Sequence, residues 1–180
     1  MTKKINITTK LGDNGTSRLF SGEIVSKTSL RLDAYGDLDE LVSVLGLARY
    51  HTKKKRIKNE IFILQKELFI AGSELATTKE KLLKLPSRID NAKLDEFEIR
   101  VKSLFDVTPI PKTFIVPGKV LSSSFLDVAR TIARRCERKI VYLIEIKEIE
   151  NKNLIVYMNR ISDYLYLMAR FEEGTPELLR

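Results

Sequence analysis

A chain of 180 residues is the size of one ordinary domain and long enough to bury a core without disulfides or a structural metal. Its single cysteine, Cys136, excludes an internal disulfide; with a single histidine, His51, it also excludes a Cys/His zinc site and any Ser-His or Cys-His triad that His51 does not serve. The balance of 32 Lys+Arg against 24 Asp+Glu, a net charge of +8, predicts attraction to polyanions such as phosphates, nucleic acid or an acidic membrane.

The first 30 residues form a polar stretch punctuated by Gly12, Gly15 and Gly22, which reads as an ordered loop or short extended pieces. No apolar run follows the opening lysines and nothing approaches 18 uninterrupted apolar residues, so a soluble, cytoplasmic chain without a membrane span is expected. Ala34, Leu38, Leu41, Leu45 and Ala48 then recur every three or four residues, which predicts a helix over about 31–50. After the basic run Lys53 to Arg56, a second helix carries Ile57, Ile61, Leu64, Leu68, Ala71 and Leu75. A third carries Leu94, Phe97, Val101 and Leu104, opening on Asp90 or Asn91 as N-cap and ending before Pro109 and Pro111. The segment Thr108 to Lys119, with three prolines and Gly118, reads as a loop.

The fourth helix, over about 122–146, places Phe125, Val128, Ile132, Cys136, Ile140 and Leu143 on one stripe; the fifth carries Leu154, Met158, Ile161, Leu165 and Met168. A short polar link, Glu150 to Asn153, makes these two antiparallel neighbours. The expected fold is all-α: a single domain over 1–180 with an ordered N-terminal loop, 1–30, and a five-helix up-and-down bundle, 31–172, ferritin-like in general arrangement. His51 is expected to be exposed, and Cys136 to be a small core residue.

Four constellations could carry chemistry. Thr8 to Ser17 combines glycines that turn backbone N–H groups inward with hydroxyls, Lys10 and Asp13, a composition suited to phosphate and to Mg²⁺, although it is not a P-loop and could be a plain polar turn. On the fourth helix Arg130, Arg134 and Glu137 share a face flanked by Arg135 and Arg138, and stacked arginines call for an anion unless they form a solvated surface. On the fifth, Asn159, Ser162 and Asp163 lie beside the core stripe as ligand contacts or an interhelical latch. On the first, Asp33, Asp37 and Glu40 form an acidic stripe that could meet Arg130 and Arg134 within one chain or across a subunit interface, or stay solvated. No Glu-x-x-His occurs, which rules out a ferritin-type carboxylate metal centre.

Together these motifs resemble the PduO-type ATP:cob(I)alamin adenosyltransferases over nearly the whole chain. The resemblance rests on Thr9 to Gly15, Lys27 and Arg31, Ala34 to Leu41, Pro117-Gly118, Ala129 to Arg138 and Asn159 to Leu165. It implies a homotrimer with active sites at subunit interfaces that transfers the 5′-deoxyadenosyl group of ATP to cob(I)alamin, giving adenosylcobalamin and triphosphate. A reductase supplying Co(I) and an adenosylcobalamin-dependent mutase taking the product are the implied partners. By the resemblance, Thr9, Lys10, Gly12, Asp13, Gly15, Ser17, Arg18 and Lys27 bind ATP from the loop. Arg134, Glu137, Arg138 and Asn159 complete that site from a neighbouring subunit, with Mg²⁺ held through the phosphates rather than by His or Cys. Arg130 and Asp37 would pair at the interface and shape the cobalamin pocket, and Phe114 would press on the lower face of the corrin. Such chemistry needs no catalytic Ser, Cys or His, because the reduced corrinoid is the nucleophile.

The chain departs from the family pattern at Val42, where Asn is usual, at Lys119, where a second glycine is usual, at Asp127, where His is common, and at Ser17, a conservative change from Thr. Two other readings compete: a basic helical nucleic-acid-binding protein, suggested by the charge and the Lys53 to Arg56 run, and an ATP-sensing regulator that has lost transfer, suggested by Lys119 and Asp127.

Overall fold

The computed structural model describes residue 8, residues 10–174 and residue 178. Thr16–Arg18 (β1) and Ile24–Ser26 (β2) pair antiparallel with Ser17 opposite Val25, so the expected extended pieces form a small hairpin. Five long helices follow: α1 (Leu30–His51), α2 (Lys55–Leu75), α3 (Asn91–Phe105), α4 (Leu121–Glu145) and α5 (Asn153–Glu173). A 3₁₀ helix at Lys79–Lys84 lies between α2 and α3, a piece too short to show in hydrophobic periodicity.

Side-chain pairs fix the directions. Cys136 Sγ reaches the carbonyl of Ala34 at 3.5 Å near one end of the α1–α4 contact, and the His51 and Phe125 rings stack at 5.6 Å near the other, so these helices run antiparallel. Asn159 meets Glu137 and Ser122 meets Glu172, which sets α5 antiparallel to α4. Asn153 bonds Asn91 and Arg160 bonds Glu98, so α3 runs parallel to α5. Chain direction therefore alternates from helix to helix, and the molecule is the five-helix up-and-down bundle that the sequence pattern predicts.

The predicted stripes of α1, α2 and α5 are buried, from Ala34 to Ala48, Ile57 to Leu75 and Leu154 to Met168. On α4 Ile132, Cys136, Ile140 and Leu143 of the expected stripe face the core, joined by Leu126, Ala129 and Ala133, while Phe125 is half-buried and Val128, expected inside, is 48% exposed. Asp90 is the N-cap of α3, its side chain accepting from Lys93 N, and Ser29 caps α1 by accepting from Leu32 N.

Two buried polar residues hold the hairpin end of the bundle together. Arg31 donates to the carbonyls of Leu75 and Thr77 at 2.9 and 3.0 Å and to Glu148, joining α1 to the end of α2 and to the α4–α5 link. Glu74 accepts from Arg88, from Ile89 N and from Asn151, so one carboxylate organises the α2–α3 connection. The hairpin rests on this end: Ser21 N donates to Ala76 O, and Lys81 bridges Ser21 O and the Glu23 carboxylate.

Candidate active site

On the N-terminal loop, Lys10 adopts a left-handed backbone (φ 59°) and its carbonyl accepts from Asp13 N. Gly15, at φ 74°, takes a conformation that side chains disfavour, and its carbonyl accepts from Lys27 N at 2.9 Å. Gly12 leaves room for the Lys27 ammonium, since a Cβ there would lie 3.1 Å from Lys27 Nζ and 3.2 Å from Thr16 O. The fold thus gathers Lys10, Gly12, Asp13, Gly15 and Lys27 on one exposed turn. Ser17 lies in β1, and Arg18 is turned across the hairpin to donate to Gly22 O at 2.7 Å. Thr9 falls outside the described residues.

The second cluster lies on α4 and α5. Arg134, Glu137, Arg138, Val141 and Asn159 line a pocket of about 270 Å³. Asn159 Nδ2 donates to Glu137 Oε1 at 3.2 Å, so the latch between the helices forms inside the ligand-sized hollow. Among the described residues, no hydrogen bond or ion pair engages the guanidinium groups of Arg134 and Arg138, both exposed. That leaves two unneutralised cations at one pocket, an arrangement that attracts anions and matches phosphate oxygens in pairs.

A larger groove of about 720 Å³ opens next to it, walled by α3, α4 and α5. Arg130 and Arg134 form one side, Phe105 and Ile110 the apolar end, and Arg160 and Tyr166 the α5 side. Arg134 belongs to both cavities. Phe114 sits on the same loop as Ile110 and is 84% exposed, an apolar ring held out into solvent. Sequence reasoning missed Phe105, Arg160 and Tyr166. Arg160 and Tyr166 fall within or beside the Asn159 to Leu165 motif, so their spacing could have shown them, whereas Phe105 has no such signal.

The acidic stripe of α1 meets different cations from those expected. Asp37 pairs with Arg135 Nε at 3.1 Å and Lys139 Nζ at 2.8 Å; Asp33 also holds Lys139, and Glu40 holds Arg135. The hydrogen bond that Arg135 donates to Asp37 raises the Arg135 pKa; for Lys139 partial burial lowers the pKa, but its hydrogen bonds to Asp33 and Asp37 and their charges outweigh it and the net shift is upward. The expected meeting of this stripe with Arg130 and Arg134 does not form within one chain. Helical geometry explains it: Arg130 and Arg135 are five residues apart, about 140° around α4, so one faces the groove and the other faces α1.

The remaining candidates resolve simply. His51 is exposed at the end of α1, stacked on Phe125. Cys136 is buried, and burial pushes its thiol up to about 12. In the basic run, Lys54 donates to Phe171 O and lies over its ring, and Arg56 donates to Ser103, so half of the run secures helix ends rather than facing a polyanion. Among the described residues, no group of three His, Cys, Asp or Glu could hold a metal, and no helix is long and apolar enough to cross a membrane.

Three comparisons bear on this geometry. The profile of one family, cobalamin adenosyltransferase, matches residues 7–172. A corrinoid adenosyltransferase of Citrobacter freundii is 38% identical over 173 residues, covering 96% of this chain and 97% of that protein. Among solved structures, a variant PduO-type ATP:corrinoid adenosyltransferase from Lactobacillus reuteri, complexed with cobalamin and ATP, superposes with a TM-score of 0.87 at 32% identity, over 97% of each chain. A second variant of that type from the same organism, complexed with ATP, gives 0.85 at 33% identity, over 97% of this chain and 100% of the other.

Proposed function

The chain belongs to the cobalamin adenosyltransferase family, and from that premise we propose that it transfers the 5′-deoxyadenosyl group of ATP to cob(I)alamin, forming adenosylcobalamin and triphosphate. The observation that carries this reading is the place of Arg134, shared between a small basic pocket and a large, partly apolar groove. A nucleotide tail in the first and a corrin in the second would bring cobalt and C5′ together beside that residue.

The reaction is a displacement. A Co–C5′ bond forms as the C5′–O bond breaks; the bonding pair leaves on triphosphate, and cobalt passes formally from Co(I) to Co(III). The protein's work is to align the reactants and to neutralise charge on the leaving group, both of which depend on fixed cations more than on proton transfer. Arg134 and Arg138 meet the phosphates, Glu137 and Asn159 hold the pocket's shape, and Lys10, Gly12, Asp13, Gly15, Ser17, Arg18 and Lys27 serve the nucleotide from the loop. Thr9 joins them by the family likeness alone. Mg²⁺ would enter on the phosphates themselves, with Asp13 on the exposed loop as the carboxylate available to it.

The loop and the arginine pocket are joined by no hydrogen bond, ion pair or shared cavity wall between Lys10–Lys27 and the Arg134 cluster among the described residues. A site that uses both would take them from two copies, and by the family likeness the assembly is a homotrimer with the site between subunits. There Arg130 of one copy would compete with Arg135 and Lys139 for Asp37 of the next. Phe114, exposed on the loop that also carries Ile110, would pack on the lower corrin face and displace an axial ligand, which favours reduction to Co(I). A reductase upstream, an adenosylcobalamin-dependent mutase downstream and a cytoplasmic setting fit this chemistry.

The test is direct. Reduced cobalamin and Mg-ATP are mixed with the protein and the corrin spectrum followed; conversion to the alkyl-cobalt spectrum with stoichiometric triphosphate is expected, and no ATP-dependent change in folded protein would reject the reading.

A further inference from the structure

Two walls of the large groove are braced by a residue that is not in it. Arg170, on the last turns of α5, is fully buried (0% exposed). Its Nη2 donates to Asp127 Oδ2 at 2.6 Å and its Nε faces Glu173 at 3.1 Å. Its guanidinium carbon also lies 5.1 Å from the centre of the Tyr166 ring, and Tyr166 is a groove wall. The other oxygen of Asp127, Oδ1, lies 3.6 Å from Arg130 Nε, a buried nitrogen that makes no hydrogen bond. Arg130 is a second groove wall. One buried cation of α5 thus holds α4 through a carboxylate and lies against the face of the Tyr166 ring on its own helix.

Well-packed apolar side chains would fill such a space with equal or better stability, so stability alone does not call for this pair. What ion pairing adds is orientation. Asp127 is nearly buried and tied at one oxygen by Arg170, so its second oxygen stays turned toward the Arg130 guanidinium, a charge contact at 3.6 Å that sets where that cation rests. We propose that Asp127 and Arg170 are positioning residues that set the corrinoid-binding wall by acting through Arg130. The inference rests on the reading of this groove as the corrinoid site.

The experiment measures the KM for cob(I)alamin and the KM for ATP separately in wild-type enzyme and in Asp127→Asn. Misplacing Arg130 should raise the corrinoid KM roughly tenfold or more and leave the ATP KM at its wild-type value. Ser123→Ala is the control: it removes a hydrogen bond to Glu173 in the same buried cluster, so it should lower the melting temperature and leave both constants unchanged. In an Arg130→Ala background, Asp127→Asn should add no further rise in corrinoid KM, because the residue it orients is gone. An additive rise there, or corrinoid and ATP constants that move together with melting temperature, overturns the proposal. Should Asp127→Asn fail to fold, Arg170→Lys, which keeps the buried charge and loses the planar fork, carries the same test with the same outcomes. A wild-type protein without adenosyl transfer removes the functional reading and this inference with it; an active wild type with an unshifted Asp127→Asn removes this inference alone.

Discussion

Arg134 touches both cavities and has no carboxylate partner among the described residues, so its charge is available to a ligand at no cost to an existing ion pair. Arg134→Ala should therefore remove a charge-assisted phosphate contact of about 1.5–3 kcal/mol and lower kcat/KM for ATP by roughly tenfold or more, with little change in melting temperature. Steady-state kinetics at saturating cob(I)alamin check it. Phe114 is proposed to pack on the lower corrin face. Its exposed ring makes no contribution to the core, so Phe114→Ala should leave ATP binding intact and slow the reaction started from Co(II) more than that started from Co(I). An equal loss from both states would refute its role. Cys136 gives a contrasting case: a thiol at about 12 in an apolar setting stays protonated at ordinary pH. It should resist alkylation in the folded protein and react once urea opens the bundle, which mass spectrometry would show. The Arg130 and Arg134 spacing was legible because both lie on one helix face. Arg170 was not, since only the fold reveals that an arginine near the end of α5 meets an aspartate near the start of α4.

At the level of elements, the helices were readable because each buries one stripe at the helical period, and the caps at Ser29 and Asp90 match their side-chain chemistry. The α4 stripe was read slightly off register because arginines and small residues on both flanks give similar spacing. Packing against α1 and α5 decides between Val128 and Ala129 for the core position. The short extended pieces were expected, but their pairing into a hairpin was not, because strands of three residues carry too little alternation to show it. Its attachment has a pH signature. Hydrogen bonds from Lys81 first, then Ser21, lower the Glu23 carboxyl from 4.5 to about 2. A depressed folded pKa means the contact stabilises the hairpin above pH 4.5 and is lost as pH falls from 4.5 toward 2. Amide exchange within Thr16–Ser26 should accelerate over that range beyond its intrinsic pH dependence, and Lys81→Met should reduce the excess, leaving the part due to Ser21.

For the whole molecule, the net charge of +8 left open which polyanion the chain meets, and the composition could not show that Lys27 and Arg134 lie in different places. Lys27 sits against Gly12 in the loop at the hairpin end, while Arg134 lines the groove on α4. On the proposed reading, a site built from both belongs to two chains, which predicts complementation. Lys27→Ala and Arg134→Ala homo-oligomers should each be poorly active, because every site in each lacks one half. When the two are unfolded together in equal amounts and refolded, subunits assort at random around the ring. A site is intact wherever the loop comes from an Arg134→Ala subunit and the helices from a Lys27→Ala subunit, which holds for about one quarter of interfaces in a closed cyclic assembly. Activity should rise to about a quarter of the wild-type value, well above either parent. If each chain instead folded its own loop onto its own arginines, every site would carry one lesion whatever its neighbours, and mixing would restore nothing.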